Sequence, residues 1–131
     1  MPSKQQIHTD AAPQPIGPFS QALRAGDFVY VAGQGPGDPA TGELRLGTIE
    51  EQTALTLDNI TAILEAAGAT IDDVVRCTVW LADLDDFSRY NAVYETYFSD
   101  PKPTRATVRA DLLGGIKVEI EATAYVGEGP E

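Results

Sequence analysis

Two strand patterns separated by a pair of glycines occupy residues 103–125, which read Pro-Thr-Arg-Ala-Thr-Val-Arg-Ala-Asp-Leu-Leu-Gly-Gly-Ile-Lys-Val-Glu-Ile-Glu-Ala-Thr-Ala-Tyr. Side chains of an extended chain alternate between two faces, so the first arm places Arg105, Thr107 and Arg109 together. The second arm has an apolar face and a polar face. The apolar face carries Val118, Ile120, Ala122, Ala124 and Val126, and the polar face carries Lys117, Glu119, Glu121 and Thr123.

A hairpin through Gly114-Gly115 would bring guanidinium and carboxylate groups together on one surface of the sheet. A guanidinium group binds a carboxylate through two hydrogen bonds, and a nearby acid can hold a water molecule. This combination suits a small-molecule site. The alternative is cross-strand charge pairing on a solvated face, which is common and contributes little to stability.

Composition limits the class of protein. The chain has 131 residues, 43% of them hydrophobic, which predicts a single folded domain over residues 1–131. No apolar run approaches the roughly 18 residues that span a bilayer, and the polar start of the chain lacks a signal-peptide pattern. One cysteine, Cys77, excludes an internal disulfide framework and suits a reducing compartment. We therefore expect a cytoplasmic protein with no membrane partner.

The charge balance argues against nucleic acid as a partner. The formal net charge is −11, from 9 Lys/Arg against 20 Asp/Glu, whereas nucleic-acid binders need a basic surface to neutralise phosphates. In such a negative field an isolated arginine such as Arg105 is better suited to one small anion.

The chain begins with strands and turns. Prolines and a glycine in residues 11–18 predict an ordered, turn-rich segment that is not helical. Short apolar runs at residues 19–23 and 28–32 flank Ala25-Gly26-Asp27, which predicts a hairpin. A further strand is possible near residues 4–8. Residues 33–42 are rich in glycine and proline and predict a loop.

Two helices and a strand follow. Thr48 and Glu51 form a capping box, apolar residues then recur at helical spacing, and Gly68 ends the helix. Residues 74–81 predict a strand with Val75, Cys77, Val79 and Leu81 on one face. A second helix is expected from about residue 86 to residue 98, with its aromatic residues on one side. The prediction is an α+β fold with a mixed sheet and two helices packed on one face. The uncovered face then favours self-association.

Several chemically suggestive residues have ordinary explanations. Cys77 lies among apolar residues, which indicates a buried, inert thiol. His8 is the one histidine, so a histidine metal site or a Ser-His triad is not expected. Gly33-Gln34-Gly35-Pro36-Gly37 lacks the lysine and the following helix of a phosphate loop. The aromatic stripe of the second helix is more often core than a stacking platform.

The chain resembles the RidA (YjgF-type, L-PSP) family of reactive-intermediate deaminases over nearly its whole length. The segments that carry the resemblance keep the family's order and spacing. They are Ala12-Pro13, residues 16–21 (IGPFSQ), residues 31–34 (VAGQ), Asn59-Ile60, residues 66–68 (AAG), Asp83-Leu84, residues 90–94 (YNAVY), residues 103–107 (PTRAT) and residues 118–122 (VEIEA).

The resemblance implies a chorismate-mutase-like homotrimer with ligand sites in clefts between subunits. It implies hydrolysis of 2-imino acids or their enamines, such as 2-iminopropanoate and 2-iminobutanoate, to 2-keto acids and ammonia. Pyridoxal-phosphate enzymes generate such intermediates when they dehydrate serine or threonine. The ligand at the subunit interfaces would be a small 2-imino or 2-keto acid, and neither a metal nor a cofactor is implied.

The resemblance also assigns the site. Arg105 would hold the substrate carboxylate, and Glu119 would position a water and manage its proton. Backbone groups near Gly33 would complete the anion pocket, and Asn91 would donate a hydrogen bond or serve helix packing. The other substrate-binding positions depart from the family pattern: Phe19 replaces a frequent tyrosine, Ala32 a common serine and Thr107 a common cysteine.

These departures leave a question of substrate range and two alternatives. Loss of two hydroxyl groups favours bulkier or more apolar imino acids. It also motivates a second hypothesis, a non-catalytic trimer that binds a small carboxylate as a metabolite sensor or regulator. A third hypothesis, an endoribonuclease, rests on the older family label and is opposed by the negative charge and the single histidine.

Overall fold

A computed structural model describes residues 3–127 of the chain. Its six strands form one mixed sheet in the order β1-β2-β3-β6-β4-β5, and both helices pack on the same face. This architecture confirms the predicted fold class and order of elements. The elements are β1 (Gln5–Ile7), β2 (Ala22–Ala25), β3 (Phe28–Gln34), α1 (Ile49–Ala66), β4 (Val74–Leu81), α2 (Phe87–Tyr94), β5 (Thr104–Arg109) and β6 (Val118–Tyr125).

The longer helix begins and ends where the sequence predicts. Thr48 Oγ1 accepts a hydrogen bond from the Glu51 amide at 3.1 Å, and Glu51 Oε1 accepts one from the Thr48 amide at 2.9 Å. Gly68 follows the helix with φ of +78°, a conformation that glycine adopts without steric cost. The apolar face of α1, which includes Leu57, Ile60 and Leu64, is fully buried against the sheet.

The second helix connects two parallel strands. β4, α2 and β5 form a βαβ unit, and Cys77 of β4 pairs with Arg105 of β5. The helix is shorter than predicted: residues 84–86 form a 3₁₀ turn before it, and the α-helix ends at Tyr94. Val75 is also displaced from its predicted face, because the pairing of β4 with β6 shifts between Val74 and Arg76 and leaves Val75 exposed.

The predicted hairpin between the arginine strand (β5, which carries Arg105) and the glutamate strand (β6, which carries Glu119) is wrong. β6 pairs antiparallel with β3 on one side and β4 on the other, so β4 separates it from β5. Residues 110–117 carry the chain across β4, and Gly114 and Gly115 take up left-handed conformations in this crossing. The alternating faces of β6 are as predicted, with Val118 and Ile120 buried and Glu121 exposed.

Buried amides fix the loops at one end of the sheet. Gln52 of α1 donates to the Gly47 carbonyl at 3.0 Å and accepts from the Lys117 amide at 2.8 Å. Asn59 donates to the Gly37 carbonyl at 2.9 Å. Unpaired backbone groups in a buried loop are costly, so these amide contacts hold the loop before α1 against the start of β6.

The face of the sheet opposite the helices carries half-exposed apolar residues, among them Tyr30, Val108 and Tyr125. Within residues 3–127, no helix combines the length and the apolar character that crossing a bilayer demands.

Candidate functional site

Arg105 lies on the helix side of the sheet, against one face of α2. Its Nη1 donates to Asn91 Oδ1 at 2.8 Å. Its Cζ lies 4.7 Å from the ring centroid of Tyr94, 5.5 Å from that of Tyr90 and 5.6 Å from that of Phe87. A guanidinium near an aromatic face is stabilised by about 0.5–2 kcal/mol. The rings and the amide oxygen therefore restrain a side chain that would otherwise be mobile.

The spacing of the four helix residues explains this arrangement. Phe87, Tyr90, Asn91 and Tyr94 follow each other at positions i, i+3, i+4 and i+7, which lie on one side of an α-helix. Tyr90 and Tyr94 are buried, whereas Phe87 is 39% exposed. The prediction that the aromatic stripe belongs to the core is confirmed for the two tyrosines. Their contact with Arg105 was missed, although the i, i+3, i+7 spacing of aromatic residues beside a predicted arginine strand was a usable signal.

Thr107 lies on the same face of β5 as Arg105, and its hydroxyl is engaged within the chain. Thr107 Oγ1 and the Tyr90 hydroxyl are 3.2 Å apart, and either group can donate. Burial raises the pKa of Tyr90 above its ordinary value. This contact connects β5 to α2 directly beside Arg105.

Glu119 lies in a cavity of about 370 Å³ at the other face of the sheet. Phe19 and Gly33 line the same cavity. A β-carbon built on Gly33 would lie 2.5 Å from Glu119 Oε2, so glycine is what allows the carboxylate to approach the backbone there. Burial, and then the negative charge of Glu121, raise the pKa of Glu119. A carboxylate with a raised pKa is a better proton acceptor than an ordinary glutamate.

An irregularity in β3 shapes the wall beside this carboxylate. Val31 pairs with Ala122 and Gln34 pairs with Ile120, so Ala32 and Gly33 together oppose Glu121. Such β-bulges redirect side chains and are frequent near active sites. As a result Gly33 borders the cavity with Glu119, while Ala32 lines a neighbouring cavity of about 600 Å³. Phe19 borders both cavities.

One buried glutamine positions the N-terminal part of the cavity wall. Gln21 Oε1 accepts from the Thr9 amide at 2.8 Å, and Gln21 Nε2 donates to the Thr9 and Pro13 carbonyls, both at 3.0 Å. These bonds hold the proline-rich segment against β2. They place Ile16 at the cavity, a residue that the sequence interpretation did not single out.

The predicted site residues thus form two groups. Arg105, Asn91 and Thr107 are together on the helix side, whereas Phe19, Gly33 and Glu119 share the cavity on the other side. The strand pairing explains this separation. Cys77 of β4 pairs with Arg105 on one side and with buried Ala122 on the other. Trp80 of β4 pairs with Glu119 on one side and with half-exposed Val108 on the other. Paired residues share a face. A single copy of the chain therefore does not bring Arg105 and Glu119 into one site.

The thiol and the histidine take ordinary positions. Cys77 is buried and free, and burial raises the pKa of its thiol, which confirms the inert cysteine expected from the sequence. His8 Nε2 lies 3.5 Å from Asp10 Oδ1 at the surface. Within residues 3–127 no three His, Cys, Asp or Glu side chains cluster as metal ligands would.

Comparison with known proteins identifies the family of this chain. A family model described as Endoribonuclease L-PSP matches residues 9–126. A RutC family protein of Pyrococcus abyssi is 51% identical over 124 residues, which cover 94% of this chain and 98% of that protein. The chain belongs to the RidA (L-PSP) family. The resemblance noted in the sequence is thereby confirmed.

Other members of the family show the same fold and carry a more specific name. The crystal structure of RidA from the Antarctic bacterium Psychrobacter sp. PAMC 21119 superposes with a TM-score of 0.89, at 45% identity, covering 93% of this chain and 99% of that one. The 2-iminobutanoate/2-iminopropanoate deaminase of Mus musculus is 43% identical over 122 residues, covering 92% of this chain and 90% of the mouse protein.

Proposed function

We propose that this RidA-family protein hydrolyses 2-imino acids and their enamine tautomers to 2-keto acids and ammonia. The observation that carries the proposal is the set of contacts that the Arg105 guanidinium makes. Its guanidinium is held by Asn91 and three rings, and within the described residues no carboxylate lies within ion-pair distance of it. An arginine restrained in this way keeps donors available for the carboxylate of a small ligand.

Hydrolysis of an imine requires little from the protein beyond holding the substrate and a water molecule in position. Arg105 would bind the substrate carboxylate through two N–H groups, which fixes the position of the imine carbon. Glu119 would accept a proton from a water molecule as the water oxygen bonds to that carbon. Returning the proton to the nitrogen gives a carbinolamine, and transfer of its hydroxyl proton to the nitrogen lets the C–N bond break as the carbonyl forms. One imine and one water thus give one keto acid and one ammonia.

The separation of Arg105 from Glu119 means that the proposed site needs two copies of the chain. Arg105, Asn91 and Thr107 would come from one subunit, and Phe19, Ala32, Gly33 and Glu119 from its neighbour. We propose a closed homo-oligomer, a trimer by resemblance to the family, with the ligand at the subunit interface. The half-exposed apolar residues on the open face of the sheet support such an assembly.

Relatives and charge support a small anionic substrate. The mouse relative is named a 2-iminobutanoate/2-iminopropanoate deaminase. The family model is described as an endoribonuclease, but the net charge of −11 opposes binding of a polyanion. We place the activity in the cytoplasm because the free thiol of Cys77 suits a reducing compartment.

The second candidate is a non-catalytic trimer that binds a small carboxylate and reports on its concentration. Thr107 favours it, because Tyr90 already engages the hydroxyl that would otherwise meet a ligand. Binding of 2-ketobutyrate measured by calorimetry, without acceleration of imine hydrolysis, would identify this function.

The deciding experiment generates 2-iminopropanoate and 2-iminobutanoate in situ and measures keto-acid formation. We expect the protein to accelerate the reaction and Arg105→Ala to lower kcat/KM by at least about 100-fold, because two charge-assisted hydrogen bonds are lost. The melting temperature should fall by no more than a few degrees, since Arg105 is exposed and loses only its ring contacts and its bond to Asn91. Equal rates for the two proteins would refute the role of Arg105.

A further inference from the structure

Tyr90 lies at the centre of the row of rings that contacts Arg105. It is fully buried, and its ring centroid lies 5.7 Å from that of Phe87 and 5.8 Å from that of Tyr94. Both of these neighbouring rings also contact the Arg105 guanidinium. Aromatic rings at such separations pack in preferred mutual orientations, so a displacement of Tyr90 would displace the rings on either side of it as well.

The Tyr90 hydroxyl reaches the next residue on the same face of β5. Arg105 and Thr107 are two positions apart on this strand, which separates their α-carbons by about 7 Å. The Tyr90 ring centroid lies 5.5 Å from Arg105 Cζ, and the Tyr90 hydroxyl lies 3.2 Å from Thr107 Oγ1. One side chain of α2 thus contacts both residues, and its bond to Thr107 fixes where along β5 the ring lies.

Two side-chain hydrogen bonds join α2 to β5 in the part of the chain that the structure describes. One runs from Arg105 to Asn91, and the other joins Tyr90 to Thr107. A bound carboxylate would compete for the N–H groups of Arg105, so the first bond takes part in ligand binding. The second bond does not involve the guanidinium. It is therefore the polar contact that holds α2 on β5 both with and without a ligand.

We propose that the hydrogen bond between Tyr90 and Thr107 positions Arg105 for binding a carboxylate. Both are then positioning residues, and Thr107 acts through the aromatic row and not through a contact of its own with the substrate. The inference rests on the proposed role of Arg105, which is to bind the carboxylate of the imino or keto acid.

Loss of this bond should weaken ligand binding and leave the chemical step nearly unchanged. A guanidinium that is ordered only when the ligand arrives spends part of the binding free energy on that ordering. From the usual contribution of one hydrogen bond, we expect Kd and KM to rise roughly three- to tenfold. We expect kcat to stay within about twofold, because Glu119, which would act on the water, lies on the opposite face of the sheet.

The test is a double-mutant cycle with two readouts. Calorimetry measures Kd for 2-ketobutyrate, and imine hydrolysis gives KM and kcat. Tyr90→Phe and Thr107→Val should each raise Kd and KM by the stated factor. The double variant should be no worse than either single variant, because all three lack the same bond. Thr107→Ser retains a hydroxyl and should stay within about twofold of wild type.

Two variants are matched controls. Tyr97→Phe removes a hydroxyl that bonds to Asp58 of α1, and Thr104→Val removes a hydroxyl of β5 that bonds to the Val75 carbonyl. Each control loses a hydroxyl in the same way as its test variant, but neither hydroxyl joins α2 to β5. Kd for 2-ketobutyrate should be unchanged in both.

Three results would overturn the inference. Wild-type affinity in Tyr90→Phe would show that the bond does not position Arg105. A further loss of affinity when Thr107→Val is added to Tyr90→Phe would show that Thr107 contacts the ligand directly. If the wild-type protein does not bind 2-ketobutyrate, the carboxylate role of Arg105 fails and the inference fails with it. Binding without imine hydrolysis would refute the proposed hydrolysis alone, because the Kd values would still decide the role of the bond.

Discussion

Arg105 and Glu119, the two residues that would carry the proposed chemistry, project from opposite faces of the same sheet. Arg105 pairs with Cys77 in the buried layer, whereas Glu119 pairs with Trp80, whose other neighbour is half-exposed Val108. The strand β4 lies between them. A site that uses both groups therefore takes the guanidinium from one copy of the chain and the carboxylate from another.

This geometry predicts complementation between inactive variants. Arg105→Ala and Glu119→Gln should each be nearly inactive alone, whereas unfolding and refolding them together in equal amounts should restore activity. In a closed ring with random mixing, about a quarter of the sites combine an intact Arg105 with an intact Glu119. The recovered rate of imine hydrolysis should approach that fraction of the wild-type rate. A mixture as inactive as its parents would show that both groups act from one chain.

Gly33 should be needed for the position of Glu119 more than for stability. An alanine β-carbon at this position would lie 2.5 Å from Glu119 Oε2, the free end of a flexible side chain that can move away. We expect Gly33→Ala to lower kcat about tenfold or more, since small displacements of a catalytic group are costly, with little change in melting temperature. Gly17→Ala is the control, because its β-carbon would meet only ordinary contacts with Phe19 at 3.5 Å. Comparable kcat values for the two variants would refute this account.

The acid limb of the pH–rate profile should report Glu119. Burial and then Glu121 raise its pKa above the ordinary value for glutamate, so the reactive carboxylate is lost as the pH falls through this raised pKa. Glu121→Gln removes the repulsion, lowers the pKa of Glu119 and should shift the acid limb of kcat/KM to lower pH. Glu65→Gln, on the exposed side of α1, should not shift it. Identical acid limbs for wild type and Glu121→Gln would argue against Glu119 as the base.

Phe87 should act on substrate binding through Arg105. Its ring contacts the guanidinium but is partly exposed, so Phe87→Leu keeps much of the packing while removing the cation–π contact. We expect KM to rise about two- to fivefold with a smaller change in kcat. Tyr97→Phe retains its ring and removes a hydroxyl that bonds to Asp58, away from Arg105, and serves as the control. If KM for Phe87→Leu equals that of wild type, the ring has no positioning role.

Local sequence was sufficient for the secondary structure around the site. The capping box at Thr48 and the glycine after α1 set the helix ends through contacts between residues a few positions apart. Alternation in residues 118–125 fixed which residues of β6 are buried, because this alternation is a property of any extended chain. The family resemblance added the residues proposed for the site.

Contacts between distant segments decided the strand pairing and the surroundings of Arg105, which local sequence patterns left open. Residues 104–109 and 118–125 were recognised as strands, but their pairing through Gly114-Gly115 was wrong, because the α2 crossover places β5 beside the parallel strand β4, whose other edge pairs with β6. The aromatic residues of α2 were assigned to the core, and only the docking of α2 on β5 placed Arg105 against them.

The amino-acid sequence by itself determined the main elements, their order, the buried faces of α1 and β6 and the family, since these follow from short-range periodicity, capping and residue identity. Tertiary structure alone decided that β4 separates the arginine strand from the glutamate strand and that their functional groups face opposite ways. The physical reason is that side-chain alternation sets two faces for each strand, whereas only the packing of distant segments determines which faces are combined in a site.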